Sequence, residues 1–327
     1  MKYKHLVIFV VLLLACMVSC KRQESKLHSY YYWRTELRLN EIERKALEQA
    51  QIPYLYTRFF DVDKKNNEFL PIATLSKNAD FDSDKQIVPV VFITNRTFLN
   101  IKKEEISSLA NHISNLIQQK TKNLSLNTHN EIQIDCDWTA GTRDDFFQFL
   151  KQLHHISGKN ITSTLRLHQV RDRKTMGIPP VSKVYLMCYS TSSPLENSDK
   201  NSILDLQILK NYLTDLEQYP IQDIDVALPI YSWGIVSNHL GKRKLINALS
   251  INDLNNPKFE KITDNQVKVL EDGFYFGNYM NKGFTIKIEE ISEAQLQEVI
   301  QFLEPKIPNF NIIYYQLDSR FVERRKL

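Results

Sequence analysis

Eight runs of apolar, β-branched and aromatic residues recur along the chain, at 30–33, 54–60, 88–93, 131–137, 162–169, 183–189, 223–230 and 311–317. Amphipathic stretches at 40–51, 103–120, 143–157, 203–218 and 293–303 lie between several of them. A crossover of a dozen residues or more returns the chain to the same end of a sheet, so strands separated by helices run parallel rather than as hairpins. The last helical stretch opens on Ser292 with Gln295 three residues on, a capping-box pattern, and is closed by Pro305 and Pro308. Eight strands with at least five helices predict an α/β protein, a (β/α)8 TIM barrel. An open doubly wound sheet is the alternative, but no G-x-G pair is present to cradle a nucleotide. The chain is 43% hydrophobic, enough for a sizeable core, and one large domain is the simplest organisation.

Two stretches depart from an ideal barrel. Residues 64–86 have no helical period and contain Pro71, so an irregular, extended segment is expected in place of helix 2. Residues 238–291 read as an insertion between strands 7 and 8, ending in a hairpin that turns at Asn281, Lys282 and Gly283. An insertion after strand 7 emerges at the C-terminal face, where it can wall the mouth of a pocket.

The N-terminus carries Lys2 and Lys4 ahead of an unbroken apolar run, residues 6–18, which marks residues 1–19 as an export signal. That run is shorter than the roughly 20 residues a spanning helix needs, and the chain turns polar at once with "KRQES". Ser19 directly before Cys20 resembles the lipobox of bacterial lipoproteins, which implies lipidation of Cys20 and a tether over 20–29. Cys16, in "LLAC", is a competing cleavage point, and Cys20 is preferred because it borders the polar chain. The mature protein is then expected to be lipid-anchored in the bacterial cell envelope, at the outer membrane and facing either the periplasm or the surface. Removing residues 1–19 deletes two lysines and leaves 40 basic against 38 acidic residues, a balance that does not suggest nucleic acid. Cys136 and Cys188 are left, on strands 4 and 6. With strand 5 between them the backbones would lie about 9–10 Å apart, beyond disulfide reach, so both are expected to be free and buried.

Most familiar chemistries find no motif: HExxH, GxSxG, a P-loop and a mature CxxC are all missing, so no cofactor and no metal are expected. His154 and His155 fall on a helix and read as surface residues, while His168 on strand 5 is a possible inward-facing group. The segment "IQIDCDWT", residues 132–139, is different. Strands of a parallel sheet covered on both faces normally read as continuous apolar runs, yet Asp135, Asp137 and Thr139 stand at alternate positions and so on one face. Arg58 on strand 2 and Arg166 on strand 5 are the candidate partners for those carboxylates.

The same segment resembles the fourth-strand signature D-x-x-D-x-D-x-E of glycoside hydrolase family 18, the chitinase-like barrels. Asp135, Asp137 and Trp138 match it; Ile132 replaces the first acid, and Thr139 replaces the catalytic glutamate. "LMCYS" at 186–190 resembles the family's sixth-strand M-x-Y-D, with Ser190 for the acid, and "ALPIYSWG" at 227–234 resembles its seventh-strand G-L-P-x-Y-G. The whole chain also resembles an uncharacterised group of exported bacterial barrel lipoproteins. The family resemblance implies that Asp137 orients the substrate, that Asp135 supports it, and that Tyr189 takes the tyrosine role. It also implies that chitinase activity is missing, because a threonine hydroxyl cannot supply the proton.

Asp61, Asp63 and Asp318 are the other acids near strand ends. Arg58, Arg166, Tyr231 and Trp233 are candidate substrate-binding residues, and aromatic faces in "SYYYWR" at 29–34 add to them. Two readings result: a lipid-anchored, glycoside-hydrolase-like barrel, 30–327, that binds a glycan at its C-terminal face, or a catalytically inactive structural or interaction lipoprotein of the cell envelope.

Overall fold

A computed structural model describes residues 26–325 apart from 67 and 197. The expected signal segment, Cys20 and most of the tether lie outside the described residues. Eight strands form a closed parallel barrel: β1 (His28–Tyr32), β2 (Tyr54–Lys65), β3 (Gln86–Ile93), β4 (Glu131–Cys136), β5 (Asn160–Arg166), β6 (Lys183–Met187), β7 (Asp223–Pro229) and β8 (Ile312–Tyr315). Each pairs in parallel with the next, and β8 closes onto β1 through His28 opposite Ile312. Outside lie α1 (Glu41–Gln49), α2 (Lys103–Asn123), α3 (Arg143–Ser157), α4 (Leu167–Arg171), α5 (Leu206–Tyr212) and α6 (Glu293–Leu303). The capping box at Ser292 and Gln295 forms as the sequence predicts, each side chain bonding the other's backbone N–H. Among the described residues no helix is long and apolar enough to cross a membrane.

Alternation sorts the side chains of β4. Ile132, Ile134 and Cys136 take one face and pack toward the helices, while Glu131, Gln133 and Asp135 point into the barrel. That interior is polar: Glu131 accepts from Thr162 Oγ1 at 2.8 Å and from the Tyr185 hydroxyl at 2.8 Å, and Tyr56 lies 3.1 Å further on. Cys136 and Cys188 are free and wholly buried, and burial pushes both thiols up from their ordinary range.

Three features differ from the sequence reading in extent. β5 stops at Arg166 because the Gln169 side chain accepts from the Arg166 N–H and starts α4, so His168 sits half-buried on a helix and not on the strand. No helix links β2 to β3 among the described residues: β2 runs on to Lys65 and folds back antiparallel through Glu68–Ile72, so that the expected irregular segment opens as a hairpin and continues mostly as loop to Gln86. The helix expected over 203–218 is confined to α5 and a 3-10 turn at Leu216–Gln218.

The insertion begins earlier than residue 238. Strands Trp233–Ser237, Arg243–Asn247, Thr285–Glu289, Gln266–Val269 and Phe259–Thr263 form an antiparallel sheet with its own apolar cluster, including Val267, Val269, Ile286 and Ile288. The hairpin expected to turn at 281–283 turns instead between Gly273–Tyr275 and Asn278–Met280. Its two central residues, Phe276 and Gly277, both have left-handed φ, 52° and 74°, the geometry of a two-residue turn that matches strand twist. Residues 281–283 are still a turn, but they carry the chain into Thr285–Glu289, which pairs with Trp233–Ser237.

Candidate functional site at the C-terminal face

A cavity of about 460 Å³ opens where the barrel strands end. Its walls are aromatic. Tyr315 at the end of β8 lies parallel to Tyr189, just past β6, with ring centroids 5.5 Å apart, and meets Trp33 and Tyr231 edge-on at 5.6 and 5.7 Å. Trp233 continues the wall 5.2 Å from Tyr231. The insertion holds Trp233 in place: its Nε1–H donates to Glu289 Oε2 at 2.9 Å, and the same buried carboxylate accepts from the Ser202 N–H at 3.0 Å and from Lys287 Nζ at 2.9 Å.

Charged groups line the cavity between the rings. Arg58 and Asp61 on β2, Asp135 on β4 and Arg166 on β5 all contribute to it. Arg166 donates through Nε and Nη2 to both oxygens of Asp137, as the sequence suggests. Arg58 does not serve the β4 acids. It donates from Nε to Asp61 Oδ1 at 2.6 Å and from Nη2 to Asp61 Oδ2, and its guanidinium lies 5.6 Å from the Trp33 ring centre. The reason is a bulge in β2 between Arg58 and Phe60, which turns both Arg58 and Asp61 to the inside.

Asp63 and Asp318 are not part of the acid set facing the cavity. Asp63 is bound by Arg96 and accepts from Thr94 Oγ1 at 2.7 Å, and the guanidinium holds its carboxyl down to about 2. Asp318 caps the short helix Ser319–Val322 and pairs with Arg320 at 2.6 Å. Asp135 contrasts with all of them. It is 5% exposed, its direct bond is from Thr164 Oγ1 at 2.7 Å, and burial pushes its carboxyl up to about 6 against the pull of Arg166 and with the help of Asp137.

The three alternate residues that drew attention in the sequence do not share one environment. β4 ends at Cys136, so the strand parity that carries Asp135 inward stops applying. Asp137 is half-exposed beside the cavity, clamped by Arg166. Thr139 is exposed and lies on the following turn, where its N–H donates to Thr142 Oγ1 at 3.0 Å and its hydroxyl sits 3.3 Å from the same oxygen. Thr142 in turn donates to Asn95 Oδ1 at 2.5 Å, and none of Thr139, Thr142 and Asn95 lines the cavity. Trp138 is fully buried against α3, stacked 5.1 Å from Phe146, with its Nε1–H donated to the Met176 carbonyl at 2.9 Å. Tyr189, Tyr231, Trp233, Arg58 and Arg166 all reach the cavity. Tyr315, Gln316 and Asn247 reach it as well, although sequence reasoning did not single them out. Inward parity along β8 could have found Tyr315, but Asn247 depends on the pairing of Arg243–Asn247 with Trp233–Ser237, which no local pattern shows.

No protein-family model matches the sequence, and no curated protein matches it. Solved structures do resemble it. The spore cortex-lytic enzyme SleL of Bacillus cereus is 16% identical, with a TM-score of 0.54 over 91% of this chain and 72% of that one. The chitinase of Chromobacterium violaceum is 10% identical, with a TM-score of 0.52 over 91% and 97%. The C-terminal domain of a protein assigned as a chitinase in Desulfitobacterium hafniense is 12% identical, with a TM-score of 0.58 over 91% and 96%. The fold these structures share with the chain is the closed (β/α)8 barrel. On this barrel "IQIDCDWT" falls at β4, "LMCYS" at β6 and "ALPIYSWG" at β7, the strands to which the sequence resemblance assigned them. At these identities the likeness carries the fold alone.

Proposed function

We propose that this chain is an exported, lipid-anchored barrel that binds a glycan in the cavity at its C-terminal face. The observation that carries the proposal is the wall of Trp33, Tyr189, Tyr231, Trp233 and Tyr315 around a cavity that also presents carboxylates and guanidinium groups. Sugars offer apolar ring faces edged by hydroxyls, and flat aromatic surfaces beside charged hydrogen-bonding groups complement both. The chitinase route is not part of the proposal. It needs an acid at position 139, where a threonine bonds Thr142. Anchoring through Cys20 in the bacterial envelope belongs to the same proposal and rests on the leader and the polar turn after it.

Thermal unfolding across a set of oligosaccharide fragments tests it. A fragment at 100 times its Kd should stabilise the fold by about 2.7 kcal/mol, and Trp233→Ala should remove that shift. A complete set of fragments without a shift would refute it. One observation favours a second reading, an inactive structural part of the envelope: Arg58, Arg166 and Arg320 each already hold an aspartate, as an internal ion network would require.

A further inference from the structure

Asp61 and Asp135 face the same cavity from β2 and β4, with one strand between them. The register fixes their level: Asp61 pairs with Phe92 on β3, and Phe92 pairs with Asp135. Two strand spacings of 4.7–4.9 Å separate the backbones by about 9–10 Å, and side chains directed into a barrel converge from there. Carboxyl groups roughly 6.5–9.5 Å apart leave room for a sugar and one water between them, the arrangement of inverting glycoside hydrolysis.

The two carboxyls also have opposite surroundings. Arg58 donates to both oxygens of Asp61, whereas Asp135 is buried and takes a single bond from Thr164. Such divergence between two acids in one cleft is how acid and base roles are divided. Arg166 on β5, Asp137 beyond β4, and Tyr31, Tyr189 and Tyr315 on or next to β1, β6 and β8 are the other titratable or charged groups around Asp135.

We infer that Asp135 and Asp61 form a second acid–base pair that hydrolyses a glycosidic bond with inversion, independently of the missing glutamate. Asp135 gives its proton to the glycosidic oxygen as the bond from that oxygen to the anomeric carbon breaks. A water oxygen forms the new bond from the opposite face, and its proton goes to Asp61. One water is consumed, and exchange with solvent returns Asp135 to its acid form and Asp61 to its carboxylate. No 2-acetamido group takes part, so the substrate class includes sugars that lack one.

This inference rests on the glycan-binding reading, and the test separates the two. Oligosaccharides that bind in the thermal screen are incubated with the full chain, and the first-formed anomer is read by proton NMR. Turnover with inversion is expected. Asp135→Asn should lose about 10²–10⁴-fold on alkyl glycosides but far less on 2,4-dinitrophenyl glycosides, whose leaving group needs no proton. Asp61→Ala should be inactive and regain turnover with sodium azide, yielding the inverted glycosyl azide; retained binding certifies that the variant is folded. A purely structural role predicts neither leaving-group dependence nor azide rescue. Binding without turnover, retention of configuration, or full activity in Asp61→Ala would overturn the inference and leave the binding proposal standing. Absence of binding would sink both.

Discussion

At the scale of single residues, Asp135 carries a stability cost that can be measured. Its folded carboxyl titrates at about 6, against an ordinary 3.8. Between those values the folded chain holds a proton that the unfolded chain has released. The contribution of this residue is therefore most favourable below pH 4 or so, and it is lost as pH rises through about 6, by ~3 kcal/mol in all. Asparagine has no charge to bury and keeps an acceptor for Thr164. The stability gain of Asp135→Asn should accordingly grow from pH 4 to pH 7, which denaturant titrations of both proteins at several pH values will measure. Thr139→Glu gives the complementary outcome. It restores the chitinase-type acid by name, but position 139 lies on an exposed turn and is not among the residues lining the cavity. No release of reducing ends from chitin oligosaccharides is expected.

At the scale of elements, the strand Thr285–Glu289 ties the insertion to the cavity wall. Glu289 accepts from Trp233, Ser202 and Lys287 while itself only 2% exposed. Glu289→Ala leaves the indole N–H and the Ser202 N–H without their acceptor and takes the counter-charge from Lys287, which keeps the Ser198 and Lys200 carbonyls; removing one partner of a buried ion pair costs about 3–5 kcal/mol. Calorimetry should find that loss, together with weakened glycan binding through a freed Trp233. The eight strands were legible in the sequence because each is a run long enough to bury both faces, α3 because of its apolar period, and α6 because apolar period and cap agree. What escaped was set by contacts distant in sequence or by a single local bond. The end of β5 depends on one bond between Gln169 and the Arg166 N–H, and the partner of Arg58 on one bulge that period-2 reasoning cannot register. The hairpin was misplaced because "NKG" and "FG" both spell turns, and only pairing in space decides which joins two paired strands. Of the cavity, Asp135, Arg166, Tyr189, Tyr231 and Trp233 were readable from strand-end position; Asp61 was noticed as an acid but not as the partner of Arg58.

At the scale of the molecule, two apolar cores share one chain. The barrel cluster runs from Tyr30 to Val322, while the insertion sheet packs its own cluster around Val269 and Ile288. Truncating a buried aliphatic side chain costs about 2–5 kcal/mol when it leaves a cavity. Ile288→Ala should therefore lose protection against amide exchange first in strands 233–237, 266–269 and 285–289, with β3 and β4 unaffected at equal times. Uniform loss across barrel and insertion would show that they open as one unit.

Cys136 and Cys188, walled in between sheet and helices, give the barrel an internal clock. A thiolate reacts only when it meets solvent, so the rate at which an alkylating reagent consumes these two thiols counts the openings of strands 4 and 6. A single time course, followed by mass, thus records how often the barrel breathes.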